Sequence, residues 1–126
     1  MNKFLISILI LIPVLLPAQA ISLNNPPASS ALFAEGIVSK QFGERDFALS
    51  PDGKEIFYTL QSPVGAFQTL LYMKKDAAGK WSAPEIASFA GQYSDLEPAF
   101  TADGNKLFFS SNRPLSGTAI KDFDIW

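Results

Sequence analysis

Asp46-Phe47-Ala48-Leu49-Ser50-Pro51-Asp52-Gly53-Lys54-Glu55-Ile56-Phe57-Tyr58-Thr59 decides the fold, because the chain writes it twice. The second copy is Glu97-Pro98-Ala99-Phe100-Thr101-Ala102-Asp103-Gly104-Asn105-Lys106-Leu107-Phe108-Phe109-Ser110, at a constant offset of 51 residues without a gap. Four of the 14 positions are identical and six more exchange like for like, among them Asp46/Glu97, Leu49/Phe100, Ser50/Thr101 and Ile56/Leu107. In each copy Asp-Gly separates two apolar runs. Asp bonds its own downstream backbone and Gly accepts a positive φ, so the pair closes a tight hairpin.

Outward from the repeat, the pattern persists. Ile56–Leu60, Thr69–Met73 and Leu107–Ser110 are aromatic or β-branched runs of strand length, bounded by Gly, Pro, Asp or Asn. Asp76-Ala77-Ala78-Gly79-Lys80 is a longer hairpin loop ahead of Trp81. No window holds a 3.6-residue period, so the expected class is all-β. Ile56-Phe57-Tyr58 and Leu107-Phe108-Phe109 are consecutive large apolar residues. A strand wetted on one face would alternate, so both faces of each are expected to be covered, sheet against sheet. A repeat of about 40–50 residues made of short strands implies propeller blades.

The motif Ser50-Pro51-Asp52-Gly53-Lys54 followed by an aromatic strand resembles the signature of TolB-like, WD-repeat-like β-propellers. Glu97–Arg113 is similar to the same signature, with Ala102 where the family usually has Pro. Asp122-Phe123-Asp124-Ile125-Trp126 resembles the family's next strand start, and Trp81-Ser82-Ala83-Pro84-Glu85 the segment before its outermost strand. The Gly-His and Trp-Asp pairs of true WD repeats and the Gly-Gly doublet of kelch repeats are absent. The resemblance implies a partial TolB-like β-propeller over 35–126. A strand at 35–40 would close the ring. Blade one would occupy about 46–89, with strands near 46–50, 55–60, 67–74 and 84–89. A partial blade two would occupy about 97–126, with strands near 97–101 and 106–111 and a third from Phe123. A six-bladed ring needs about 300 residues, so one full four-stranded blade and an incomplete second imply an N-terminal fragment of a longer ring.

Composition narrows the chemistry. The 126 residues contain no Cys and no His. Ser-His-Asp and Cys-His catalysis, disulfides and the usual zinc sites are thereby excluded within the chain. Ten Lys+Arg against 12 Asp+Glu, with no basic block, make a poor nucleic-acid binder. Asp95/Glu97 and Asp122/Asp124 are acidic pairs with the alternate spacing that shares a strand face. They are candidates for calcium or, at suitable separation, for glycosidase-type acid/base work. Solvated loop carboxylates are the plainer account, since no Asp-x-Asp-x-Asp-Gly loop is present. Asp52 and Asp103 recur because turns need them. Trp81, Tyr93 and Trp126 could stack on sugars or peptides, or pack between sheets. No catalytic, cofactor or metal residue is therefore assigned.

Two function classes remain. One is a non-enzymatic scaffold that binds a protein or envelope ligand on a propeller face, as the resemblance implies. The other is the N-terminal propeller portion of a larger secreted hydrolase, peptidase-like or glycan-active, which a downstream Gly-x-Ser-x-Gly elbow would reveal.

Residues 1–20 read as a signal peptide. Lys3 supplies the charge, Phe4–Leu16 is apolar apart from Ser7 and Pro13, and Ala18-Gln19-Ala20 ends in small residues at −3 and −1. The apolar stretch is shorter than the roughly 20 residues of a spanning helix, so no membrane span is expected after its removal. Residues 21–34, with Asn24-Asn25-Pro26-Pro27, read as a linker. The expected destination is the periplasm or the cell exterior. Export should remove Met1–Ala20 and leave Ile21 as the N-terminus; N-terminal sequencing checks this, and a membrane-bound species retaining Met1 contradicts it.

Overall fold

The apolar runs become seven strands in the computed structural model, which describes residues 27–126. The leader at 1–20 and the first part of the linker lie outside the described residues. The strands are β1 (Gly43–Leu49), β2 (Glu55–Gln61), β3 (Gln68–Lys74), β4 (Glu85–Ile86), β5 (Asp95–Phe100), β6 (Leu107–Ser111) and β7 (Asp124–Ile125). No helix occurs among the described residues, so the class is all-β. β1-β2-β3-β4 form one antiparallel sheet and β5-β6-β7 a second, each in chain order.

The repeat is a repeat of geometry. Ser50 Oγ donates to Asp52 Oδ1 (2.7 Å) and accepts from the amides of Lys54 (3.1 Å) and Glu55 (2.9 Å). Thr101 Oγ1 donates to Asp103 Oδ1 and accepts from the amide of Lys106 (3.1 Å). The hydroxyl partner first, and then the amide two residues on, hold both carboxyls below the usual value of 3.8. Gly53 and Gly104 sit at φ 70° and 73°. Before each turn the ladder slips, between Arg45 and Ala48 and between Leu96 and Ala99. At the slip Asp46 and Glu97, again 51 apart, take φ of 54° and 56°. These are β-bulges with a non-glycine residue in the left-handed region. The sequence pairs the two acids but carries no glycine to announce the bulge.

β2 lies at the centre. Its Ile56 and Tyr58 face a cluster with Met73 and Val38, to which Phe33, Ile37 and Trp81 add. Its Phe57 faces the opposite way and joins Leu70, Ala87 and Phe109, with Phe100, Leu107 and Trp126 from the second sheet. On that face Thr59, fully buried, accepts a hydrogen bond from the Glu97 amide across the sheets (3.2 Å). The two-sided burial expected of 56–58 is therefore present. Each large side chain hidden this way contributes roughly 1.5–3 kcal/mol.

Three expectations are corrected. Residues 35–40 are not a strand. The Ala34 carbonyl accepts from the amides of both Ile37 and Val38, and Gly36 donates to the Ser39 carbonyl, so the chain curls into a turn. Ala34 at φ 45° and Gly36 at φ 78° impose the curl, and Val38 is driven onto β2. Nor is Leu107-Phe108-Phe109 covered on both faces. Phe109 is 9% exposed and Phe108 44%, because the first sheet packs on the Phe109 side alone. The expected strand near 84–89 shortens to Glu85–Ile86.

The two turns are unequal in one respect. A Cβ on Gly53 would meet nothing within 4 Å, whereas one on Gly104 would lie 3.3 Å from Pro51 Cδ. Gly53→Ala should cost about 1 kcal/mol for the positive φ alone. Gly104→Ala should cost measurably more, and Lys54→Ala almost nothing; urea denaturation of the three variants checks the order.

Candidate functional site

Among the described residues, two concavities stand out. The first, about 280 Å³, lies between the 33–39 turn and the start of β1. Phe33, Phe47 and Tyr58 wall it, with the Phe33 and Phe47 rings edge-on at 4.8 Å, and Glu44, Arg45 and Asp46 contribute charge. The bulge at Asp46 brings three consecutive charged residues to one rim, which strict alternation would have divided between faces. Arg45 Nε donates to Asp46 Oδ1 (3.1 Å), and its Nη2 lies 3.8 Å from Glu97 Oε1 on the second sheet. These pairs are solvent-facing and orient the guanidinium more than they stabilise the fold. Burial, aided by the Glu44 charge, pushes the Tyr58 hydroxyl up to about 12, so it is neutral across physiological pH. The second concavity, about 270 Å³, is an aromatic groove. Tyr72 donates to Glu55 Oε1 (2.9 Å) beside Phe57 and Phe89. Burial and then that bond push Tyr72 up to about 12.

The structure does not bring Asp95 and Glu97 together as the spacing suggested. Asp95 is fully buried, whereas the Glu97 side chain is 59% exposed. The bulge between Leu96 and Ala99 turns them to different environments. Asp124 is held by Lys121 Nζ at 2.6 Å. Among the described residues no group of three or more carboxylate, His or Cys side chains converges as a metal site would. Trp81 packs on the first cluster beneath Lys75 Nζ, 4.8 Å from its ring, and Trp126 packs on the second. Tyr93 joins neither cluster, and its hydroxyl accepts from Gln92 Nε2 at 3.4 Å.

A network that the sequence did not announce is built on Arg113. Its Nη2 donates to Asp95 Oδ1 (2.7 Å) and to the Phe89 carbonyl (3.0 Å), and its Nε donates to Ser111 Oγ (2.9 Å). Ser111, also fully buried, donates to the same Asp95 oxygen at 2.6 Å. The guanidinium lies 4.8 Å from the Phe109 ring centre and 5.5 Å from that of Trp126. The only sequence signal was that Asp95 and Ser111 would be cross-strand neighbours once the hairpin register was known.

No match to this chain was found among family models, curated proteins or solved structures. No helix among the described residues is long and apolar enough to cross a membrane.

The Arg113 network has a measurable consequence. Arg113→Ala leaves the Asp95 carboxylate buried without its cation and should cost about 3–5 kcal/mol. The double variant Asp95→Ala/Arg113→Ala should cost clearly less than the sum of the two single changes. Denaturation midpoints of the four proteins in the cycle check it.

Proposed function

We propose that this protein is an exported β-propeller-type repeat scaffold that binds a protein or envelope ligand without transforming it. The observation that supports this reading most is the exact recurrence of hairpin, bulge and turn at 51 residues, with the second sheet stacked on the first. Stacked meander sheets of this kind are the unit from which propellers are built. The periplasm or cell exterior is the proposed site of action, on the strength of the leader-like segment at 1–20. The cavity beside Tyr58 is the proposed contact point. It combines aromatic walls with an oriented guanidinium and two carboxylates, a set suited to recognition. With neither His nor Cys in the chain, Ser-His-Asp and Cys-His acyl transfer have no residues to run on here.

Photo-crosslinking tests the proposal. A benzophenone amino acid at position 47 of the exported chain should give a discrete protein adduct in the cell envelope. The same probe at Lys80, on a distant hairpin, should not give that adduct. Absence of any adduct specific to position 47, or turnover of peptide or glycan substrates by the purified chain, would overturn it.

A further inference from the structure

The cavity beside Tyr58 holds a carboxylate that the fold leaves without a partner. Glu44 Oε1 is buried and accepts no hydrogen bond, and none of the ion pairs among the described residues engages Glu44. The residue as a whole is only half-buried and lines the cavity. Part of its hydration is therefore lost while the carboxylate stays reachable from that side. Arg45, the cation on the rim, does not answer it. The guanidinium is drawn instead to Asp46 (Nε–Oδ2 2.9 Å), to Gln61 Oε1 (3.4 Å) and toward Glu97. Tyr58, 2% exposed, lines the same cavity, and its hydroxyl bonds to no described residue. The Glu44 charge reaches that hydroxyl, adding to burial in keeping the phenol neutral.

We propose that this cavity takes a single alkyl cation, one positive charge on a short apolar stem, such as the end of a lysine side chain on the bound partner. This rests on the reading of the cavity as the ligand contact and names what is recognised there. A carboxylate that has lost part of its hydration and has no donor gains more from a cation than a fully solvated one does. The walls suit the carbon stem. Phe33 and Phe47 supply two rings edge-on to one another, and aromatic faces attract cations directly. The volume of about 280 Å³ falls just below the roughly 300–1,000 Å³ of small-molecule pockets, so it fits one side chain better than a larger ligand. An anion is disfavoured, because Arg45 is already shared between Asp46 and Glu97 and the Glu44 charge would repel it.

Proton NMR of the purified full chain tests this with n-butylammonium as the probe. The aromatic signals of Phe33, Phe47 and Tyr58 should shift and saturate with butylammonium. Butyrate and 1-butanol should bind at least about tenfold more weakly to the unaltered chain. Glu44→Gln keeps the shape and removes the charge, and it should lower the butylammonium affinity by at least about tenfold. Glu85→Gln, on β4, should leave it unchanged. Amide signals of the second sheet verify that Glu44→Gln keeps the fold. In the cell envelope, excess butylammonium should suppress the adduct formed from position 47. An adduct that forms while butylammonium neither binds nor competes would overturn the cation site and leave the scaffold reading standing. Saturable, Glu44-dependent binding with no adduct would support the cation site and count against the scaffold reading alone. Equal binding of butylammonium and butanol, or a Glu44→Gln chain that binds butylammonium as before, would overturn the proposal.

Discussion

Strand β2 must hide both of its faces, and the rest of the molecule is arranged around that demand. Ile56, Phe57, Tyr58 and Thr59 are consecutive and all buried. An isolated sheet can shelter one face at most. The 33–38 turn and the second sheet supply the two covers from opposite ends of the described chain. Stability is thus concentrated in contacts of long sequence separation, and each cover depends on β2 already being paired with β1 and β3. Folding should accordingly be cooperative across the two sheets and slow relative to a helical chain of this size.

The sequence was legible where chemistry is local. Asp52-Gly53 and Asp103-Gly104 name their turns because few other residues bond their own backbone and accept φ near 70°. The strand runs follow, and so does the order of the strands, since hairpins join chain neighbours. What stayed hidden depends on partners distant in sequence. The bulges at Asp46 and Glu97 carry residues that give no hint of a left-handed backbone. Leu107-Phe108-Phe109 looks like Ile56-Phe57-Tyr58, yet Leu107 and Phe109 pack on the first sheet while Phe108 stays exposed. The difference lies in what packs against the strand and not in the strand itself.

The candidate site shows the same division. Asp95 and Glu97 were visible as a spaced pair, but the alternation that would have joined them fails at the bulge. In the sequence Arg113 stands only as the last residue of the repeat stretch Glu97–Arg113. Its role emerges only when hairpin pairing places Asp95 opposite Ser111 and the following loop returns the guanidinium over Phe109. The Glu44-Arg45-Asp46 run carries no motif in the sequence, and it becomes the rim of a cavity because the 33–39 turn folds back against β1.

The contact between the two Asp-Gly turns ties the copies of the repeat to one another. Pro51 of the first turn stands where a side chain on residue 104 of the second would have to go. A Cβ at 104 would press on Pro51 at 3.3 Å in addition to the strain of a φ of 73°, so any side chain there asks the first turn to give. The two copies therefore constrain each other through space: what one turn can carry depends in part on what the other already holds.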